Sequence, residues 1–101
     1  KGVALATSAE TALLTAASDE TIIIRSIRVT NNTSNTPTIS LDLSDSSASA
    51  EYTILKTQTL AANTAVEIIK VSLVLESSDV LKATISSSDS IHFGISYLVI
   101  T

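Results

Sequence analysis

The sequence predicts an all-β protein, a single antiparallel β-sandwich of about eight strands with jelly-roll-like connections. Ser and Thr supply 17 and 14 of the 101 residues, and 45% of the chain is hydrophobic. Thr, Ile and Val favour strands because their β-branched side chains fit a pleated surface. Clusters of Ser, Asn and Asp interrupt the chain every ~10–15 residues, as the turns of a sandwich do.

These polar clusters are the predicted turns, because Ser, Asn and Asp side chains bond to nearby backbone groups. They occupy residues 18–19, 31–37, 45–49, 61–64, 77–79 and 86–90. Glycine occurs only at Gly2 and Gly94, outside all of them. Tight turns with positive φ must therefore use Asn or Asp, or the loops are longer. Gly94 lies inside a strand pattern and predicts a bulge or a close backbone approach.

Between the turns, apolar and polar residues mostly alternate, which places one face of each strand in the core. Residues 10–17 are also predicted as a strand, because adjacent leucines and two threonines weaken the helical pattern. The alternating apolar positions are Ile39, Leu41 and Leu43, then Leu81, Ala83 and Ile85, then Ile91, Phe93, Ile95, Tyr97 and Val99.

Three segments are candidates for assembly contacts. Residues 22–24 and 98–100 are apolar on both faces, as in a central buried strand or in an edge covered by a second subunit. Residues 1–8 form either an N-terminal arm that adds a strand to a neighbour or an edge strand of their own sheet. The candidate interface residues are Val3, Leu5, Ile22, Ile24, Leu98 and Ile100.

Length and charge exclude several classes of protein. A chain of 101 residues is predicted to form one domain, residues 1–101. Its net charge of −4 includes no basic block, so we expect no binding to nucleic acid or to an anionic membrane. Apolar runs are too short to span a bilayer, and no signal-like stretch follows Lys1.

No motif in the sequence predicts a reaction. The one histidine, His92, alternates onto the face opposite Phe93, and no nucleophile turn accompanies it. Asp45, Asp79 and Asp89 lack the spacing of a calcium loop. Two glycosylation acceptor patterns begin at residues 31 and 32, where we predict an ordinary surface loop. We therefore expect no catalytic residue, no metal site and no cofactor.

Four segments resemble the short all-β virion structural proteins of tailed bacteriophages, notably those that infect cyanobacteria and other aquatic bacteria. The resemblance covers most of the chain but departs at residues 16–19 (AASD), where such proteins commonly have a Pro-Ala-Gly-type turn. It implies a non-enzymatic part of a virion. The segments are residues 23–31 (IIRSIRVTN), 45–47 (DSS) leading to Tyr52, 73–84 (LVLESSDVLKAT) and 96–101 (SYLVIT).

The leading hypothesis is a protein that decorates and cements the capsid, assembled in the host cytoplasm and carried in the virion. Its expected partners are further copies of itself, with a trimer favoured, and other virion proteins such as the major capsid protein. One alternative is a tail, baseplate or fibre-attachment adaptor, and another is a self-assembling filament subunit. A sugar-binding module or a small hydrolase is disfavoured, because aromatic residues are few and catalytic groups are missing.

Overall fold

The computed structural model describes residues 1–69 and 72–101, which form nine β-strands and no helix. Within them, therefore, no helix is available to cross a membrane. The strands are β1 (Gly2–Leu5), β2 (Thr11–Thr15), β3 (Thr21–Asn31), β4 (Thr38–Asp45), β5 (Ala50–Thr59), β6 (Ala65–Ile69), β7 (Leu73–Leu75), β8 (Val80–Ile85) and β9 (Ile91–Ile100).

The strands form two antiparallel sheets. In the first sheet the order is β1-β9-β3-β6. Strand β7 also belongs to this sheet and pairs with the beginning of β3, on the same side as β6. In the second sheet the order is β2-β8-β4-β5. The first four strands alternate between the two sheets, and the first strand lies beside the last, as in a jelly roll. The predicted β-sandwich is confirmed, with one strand more than expected.

The core lies between the two sheets and follows the predicted alternation. Leu81, Ala83 and Ile85 of β8 are all buried, and so are Ile39 and Leu41 on the neighbouring β4. In the first sheet, the buried side chains of β9 are Ile91, Phe93 and Ile95. Burying one such large apolar side chain contributes about 1.5–3 kcal/mol, which makes this interior the main source of stability.

The polar clusters lie between strands or at strand ends, and residues 10–17 contain strand β2, as predicted. The expectation that Asn or Asp supplies positive φ holds at Asn63, whereas the other residues with positive φ are Ser or Thr. Three other residues adopt it where hydrogen bonds hold the backbone in place. Thr57, for example, lies in a bulge of β5, and its N–H donates to Ser40 Oγ over 3.0 Å. The positive-φ residues in the described ranges are Ser49, Thr57, Asn63 and Ser78.

The prediction for Gly94 is wrong. Gly94 does not have positive φ, and a Cβ atom built on it would have no neighbour within 4 Å. It pairs regularly with Gly2 on one side and with Arg28 on the other. The irregularity lies instead on β3, where the register with β9 shifts between Ile24 and Ser26. The prediction failed because a glycine permits a bulge but does not cause one. The backbone pairing of two strands decides which of them carries the extra residue.

Candidate assembly surface

Strand β1 closes its own sheet in this chain. It pairs antiparallel with β9, with Gly2 opposite Gly94 and Leu5 opposite Ile91. The backbone nitrogen of Lys1 donates to the Ile95 carbonyl over 2.8 Å, and Ile95 N–H donates to the Lys1 carbonyl over 2.8 Å. Within one chain, residues 2–5 of the segment 1–8 thus form an edge strand of their own sheet.

The six predicted interface residues divide into two groups. Leu5, Ile22 and Ile24 are buried in the core of their own chain, so in this fold their side chains are unavailable to a neighbour. The reason is the period of two, which turns Ile22 and Ile24 toward the second sheet and leaves only Ile23 on the outer face. Val3 is half-buried and packs against the core. The other two predicted residues lie at the surface: Leu98 is 53% exposed and Ile100 is 48% exposed.

Strand β9 has an open edge beyond its pairing with Lys1. Its residues 96–100 pair with β3 on one side, and no other strand in the described ranges lies along their second side. Backbone groups of a strand point alternately to its two sides. Because Ile95 bonds to Lys1, the N–H and C=O groups of Tyr97 and Val99 also point to this second side. Within residues 1–69 and 72–101 these four groups have no hydrogen-bond partner, so they can pair with another strand.

A cleft of about 340 Å³ lies between the sheets beside this open edge. Leu13 and Leu14 of β2 line one wall, and Ile22, Tyr97 and Val99 line the other. The charged residues Lys1 and Glu20 also line the cleft. Tyr97 and Val99 continue the inward face of β9, yet they are 36% and 40% exposed. The cleft therefore leaves room for inward-facing side chains of an added strand.

An apolar row crosses the outer face of the first sheet and ends at the same edge. Ile23 of β3 lies opposite both Leu98 of β9 and Val74 of β7. Val74 is 47% exposed, close to the value for Leu98, and Ile23 is half-buried. Contiguous apolar surface of this kind is typical of a protein contact site. Sequence analysis missed Val74, because only the pairing of β7 with β3 brings it beside the two predicted apolar runs.

A second set of exposed apolar side chains was also missed in the sequence. Tyr52 and Ile54 lie on β5, the edge strand of the second sheet, and Val66 lies on β6 at the edge of the first sheet. Almost all of β5 is exposed, although it is ten residues long. The pairing of β5 with β4 contains two register shifts. The alternation of residues in the sequence of β5 therefore does not show which of its side chains face solvent.

Three carboxylates meet on the second sheet, around Lys82. Oxygens of Glu10, Asp42 and Glu51 lie within 4.8 Å of one another. The Lys82 ammonium lies 3.3 Å from Glu51 Oε2 and 3.8 Å from Glu10 Oε1. Loss of solvation raises the pKa of Glu10, and the charge of Glu51 adds to this effect, while Lys82 opposes it. Lys82 already supplies a positive charge to the cluster, which is an ion-pair network between neighbouring strands.

The aspartates that were considered as calcium ligands hold turns together. Asp45 accepts hydrogen bonds from Ser47 and Ala48, and the Ser47 hydroxyl contributes most to lowering its pKa. The pKa of Asp89 is likewise lowered, by Ser87 and then by Asn35. Among the described residues these aspartates belong to no group of three ligand side chains.

Asp79 and Asn31 are the two buried polar side chains of the described ranges, and both are fully hydrogen-bonded. Asn31 Nδ2 donates to the carbonyls of Asn35, Leu60 and Ala61 at 2.9–3.3 Å. Its Oδ1 accepts from the N–H and the hydroxyl of Thr33 at 3.0 and 2.7 Å. In the folded chain Asn31 therefore joins two loops, and its amide is not accessible to a glycan-transferring enzyme.

No protein-family model matches the chain. No curated protein matches it in sequence.

Proposed function

We propose that this chain is a non-enzymatic structural protein of a bacteriophage virion, which decorates the capsid and stabilises the head through protein–protein contacts. The observation that carries the proposal is the open edge of β9, with apolar side chains on both of its faces. The resemblance of residues 23–31, 45–47, 73–84 and 96–101 to phage virion proteins supports the same conclusion. A jelly roll is also one of the folds on which viral capsids are built, although a fold alone does not imply a function.

The proposed mechanism is adhesion by many weak contacts. Strand edges provide unpaired backbone groups, and each large apolar side chain that becomes buried adds at most about 1.5–3 kcal/mol. One copy would therefore bind modestly. Copies repeated over a symmetric shell act together, because every bound neighbour raises the effective concentration of the next contact.

The proposed partners are further copies of this chain and the major capsid protein. The chain is made in the host cytoplasm and becomes part of the virion. A closed homo-oligomer, with a trimer as the first candidate, would let one assembled unit contact several capsid subunits at once. No cofactor, nucleic acid or membrane takes part in this mechanism.

The test is the abundance and location of the chain in purified virions of the phage that encodes it. Quantitative mass spectrometry should find a copy number comparable with that of the major capsid protein, and antibody labelling in the electron microscope should cover the head. A few copies located at the tail would replace decoration by a tail, baseplate or fibre adaptor. Absence of the chain from purified virions would overturn the proposal.

A further inference from the structure

We propose that two copies of this chain join through their β9 edges, antiparallel to each other, across a twofold axis at Leu98. The two first sheets then become one continuous sheet. This inference deepens the proposed function, since it names one of the contacts by which the virion protein assembles. It rests on the edge geometry, and its test needs no virion.

The backbone groups favour a register in which Tyr97 and Val99 pair with each other. Tyr97 and Val99 carry the four free N–H and C=O groups of the edge. With the axis at Leu98, Tyr97 lies opposite Val99 of the second copy, and Val99 lies opposite Tyr97 of the second copy. Each of these two pairs exchanges two hydrogen bonds, as the hydrogen-bonded pairs of an antiparallel ladder do. All four free groups of each copy are then paired.

The length of the open edge restricts the alternatives. The pairing of Lys1 with Ile95 blocks any added strand from running further along β9. A register centred on Leu98 pairs residue 96 with residue 100, both within β9, and Thr101, which follows the strand, must turn away from Lys1. A register centred on Val99 would pair Tyr97 with Thr101, which lies outside β9. A register centred on Tyr97 would place Val99 of the second copy opposite Ile95, where Lys1 already lies.

The side chains suit a second copy of the same edge. On the outer face Leu98 meets its own counterpart, so the row of Leu98, Ile23 and Val74 continues across the junction into the second copy. On the inner face, Tyr97 and Val99 of each copy extend over the cleft lined by Leu13 and Leu14.

The charges also allow the edge to pair with itself. Residues 93–101 contain no charged residue and no proline, two of the devices by which edge strands commonly prevent pairing. The charged residues beside the cleft, Lys1 and Glu20, have opposite signs and lie outside β9. The open segment of β9 therefore meets its own copy without charge repulsion. Because the contact is isologous, it closes at two copies and leaves no free end for growth.

The sharpest test is a disulfide at the axis, since the chain contains no cysteine. Leu98→Cys places two thiols directly opposite each other in a non-hydrogen-bonded pair. The Cα atoms of such a pair are about 4.5 Å apart, which is within disulfide range. Ile100→Cys is the matched control, because it lies on the same face of the same strand with similar exposure. In the proposed register its two copies are four residues apart along the strand, about 13 Å, which is too far for a disulfide.

Under mild oxidation we expect Leu98→Cys to form a covalent dimer at least ~10-fold faster than Ile100→Cys, because only the first pair meets the distance limit. Equal rates would overturn the register. Faster cross-linking of Ile100→Cys would overturn it as well.

The native mass of the unmodified chain gives a second, independent measurement. Sedimentation at increasing concentration should show a dimer, and Leu98→Lys should shift it to monomer, because two like charges would meet at the axis. Val66→Lys adds the same charge at a similarly exposed valine on β6 and should remain dimeric. Circular dichroism checks that both variants are folded.

A chain that stays monomeric at all concentrations, or that grows without limit, would overturn the β9 contact. A closed trimer would also overturn it, because an isologous contact closes at two copies. None of these results bears on whether virions contain the chain, so failure of the contact and failure of the proposed function remain distinguishable.

Discussion

At the scale of single residues, Asp79 connects turns that are distant in sequence. Its Oδ1 accepts the N–H of Ser46 and its Oδ2 accepts the N–H of Glu76, both over 2.9 Å. Its backbone carbonyl accepts the N–H of Ala16 over 3.0 Å. One buried carboxylate thus joins the β4–β5 turn to the β7–β8 turn, and its backbone adds the segment after β2.

We expect Asp79→Asn to lower the free energy of unfolding by about 1–3 kcal/mol, because an amide NH₂ would face an N–H group and leave it buried without an acceptor. Urea unfolding followed by circular dichroism measures the change. Asp19→Asn is the control, since Asp19 is an exposed aspartate in another turn and its substitution should change little. Equal losses in the two variants would contradict the role of Asp79.

At the scale of elements, β1 is held to its own sheet by one well-buried side chain. Leu5 is 4% exposed, whereas Val3 is only half-buried and the remaining residues of β1 are exposed. The short strand therefore depends on Leu5 for apolar burial and on β9 for its backbone pairing.

We expect Leu5→Ala to lower the free energy of unfolding by about 2–5 kcal/mol, the range for removing a buried leucine. Val3→Ala should cost less, because its side chain is already partly in water. Denaturant titration of both variants measures the difference. If β1 were instead an arm folded onto a neighbour, dilution to monomer would abolish the effect of Leu5→Ala.

The carboxylates around Lys82 of β8 make the stability of the second sheet depend on pH. Because the pKa of Glu10 is raised in the folded chain, the folded state binds more protons than the unfolded state just above the ordinary glutamate pKa of about 4.3. The contribution of Glu10 to stability therefore decreases as the pH rises through this window. Lys82 limits the decrease by lowering the pKa of Glu10.

We expect Lys82→Gln to raise the pKa of Glu10 further and to destabilise the chain at pH 7 by about 1 kcal/mol or less, the usual range for partly exposed pairs. The loss should shrink toward pH 4.5, where Glu10 takes up a proton, and unfolding curves at both pH values measure it. Lys56→Gln is the control, because the exposed Lys56 makes no ion pair within the described ranges. A loss that did not depend on pH would contradict the electrostatic explanation.

At the scale of the whole molecule, stability depends on which face of each sheet is enclosed. Val29 of β3 is fully buried between the sheets, while Val74 of β7 lies on the outer face. Both valines belong to the first sheet. A comparison of the two positions therefore measures how much burial between the sheets contributes to stability.

We expect Val29→Ala to lower the free energy of unfolding by about 2 kcal/mol, because two methyl-sized groups leave the core and a cavity remains. Val74→Ala should change it by less than about 0.5 kcal/mol, as surface substitutions usually do. Thermal and urea unfolding of the two variants, at a protein concentration where both are monomeric, measures the contrast. Similar losses would contradict the assignment of the two faces.

The sequence by itself determined the local features of this protein. The alternation of residues such as Leu81 and Ala83 with polar neighbours predicts strands, because side-chain direction in a strand depends only on the parity of the position. The polar clusters predict turns, because their side chains bond to backbone only a few residues away, as Asp45 does with Ser47 and Ala48. Together these features were enough to predict a sandwich.

Only the tertiary structure decided which strands pair and what remains open. The runs 22–24 and 98–100 look alike in sequence, yet β3 is enclosed between neighbours while the end of β9 has one free side. The anchoring role of Asn31 and the row formed by Val74, Ile23 and Leu98 were also invisible beforehand. These features depend on contacts between residues far apart in the chain, such as Lys1 and Ile95. Local patterns carry no information about such contacts, because the arrangement of both sheets determines them.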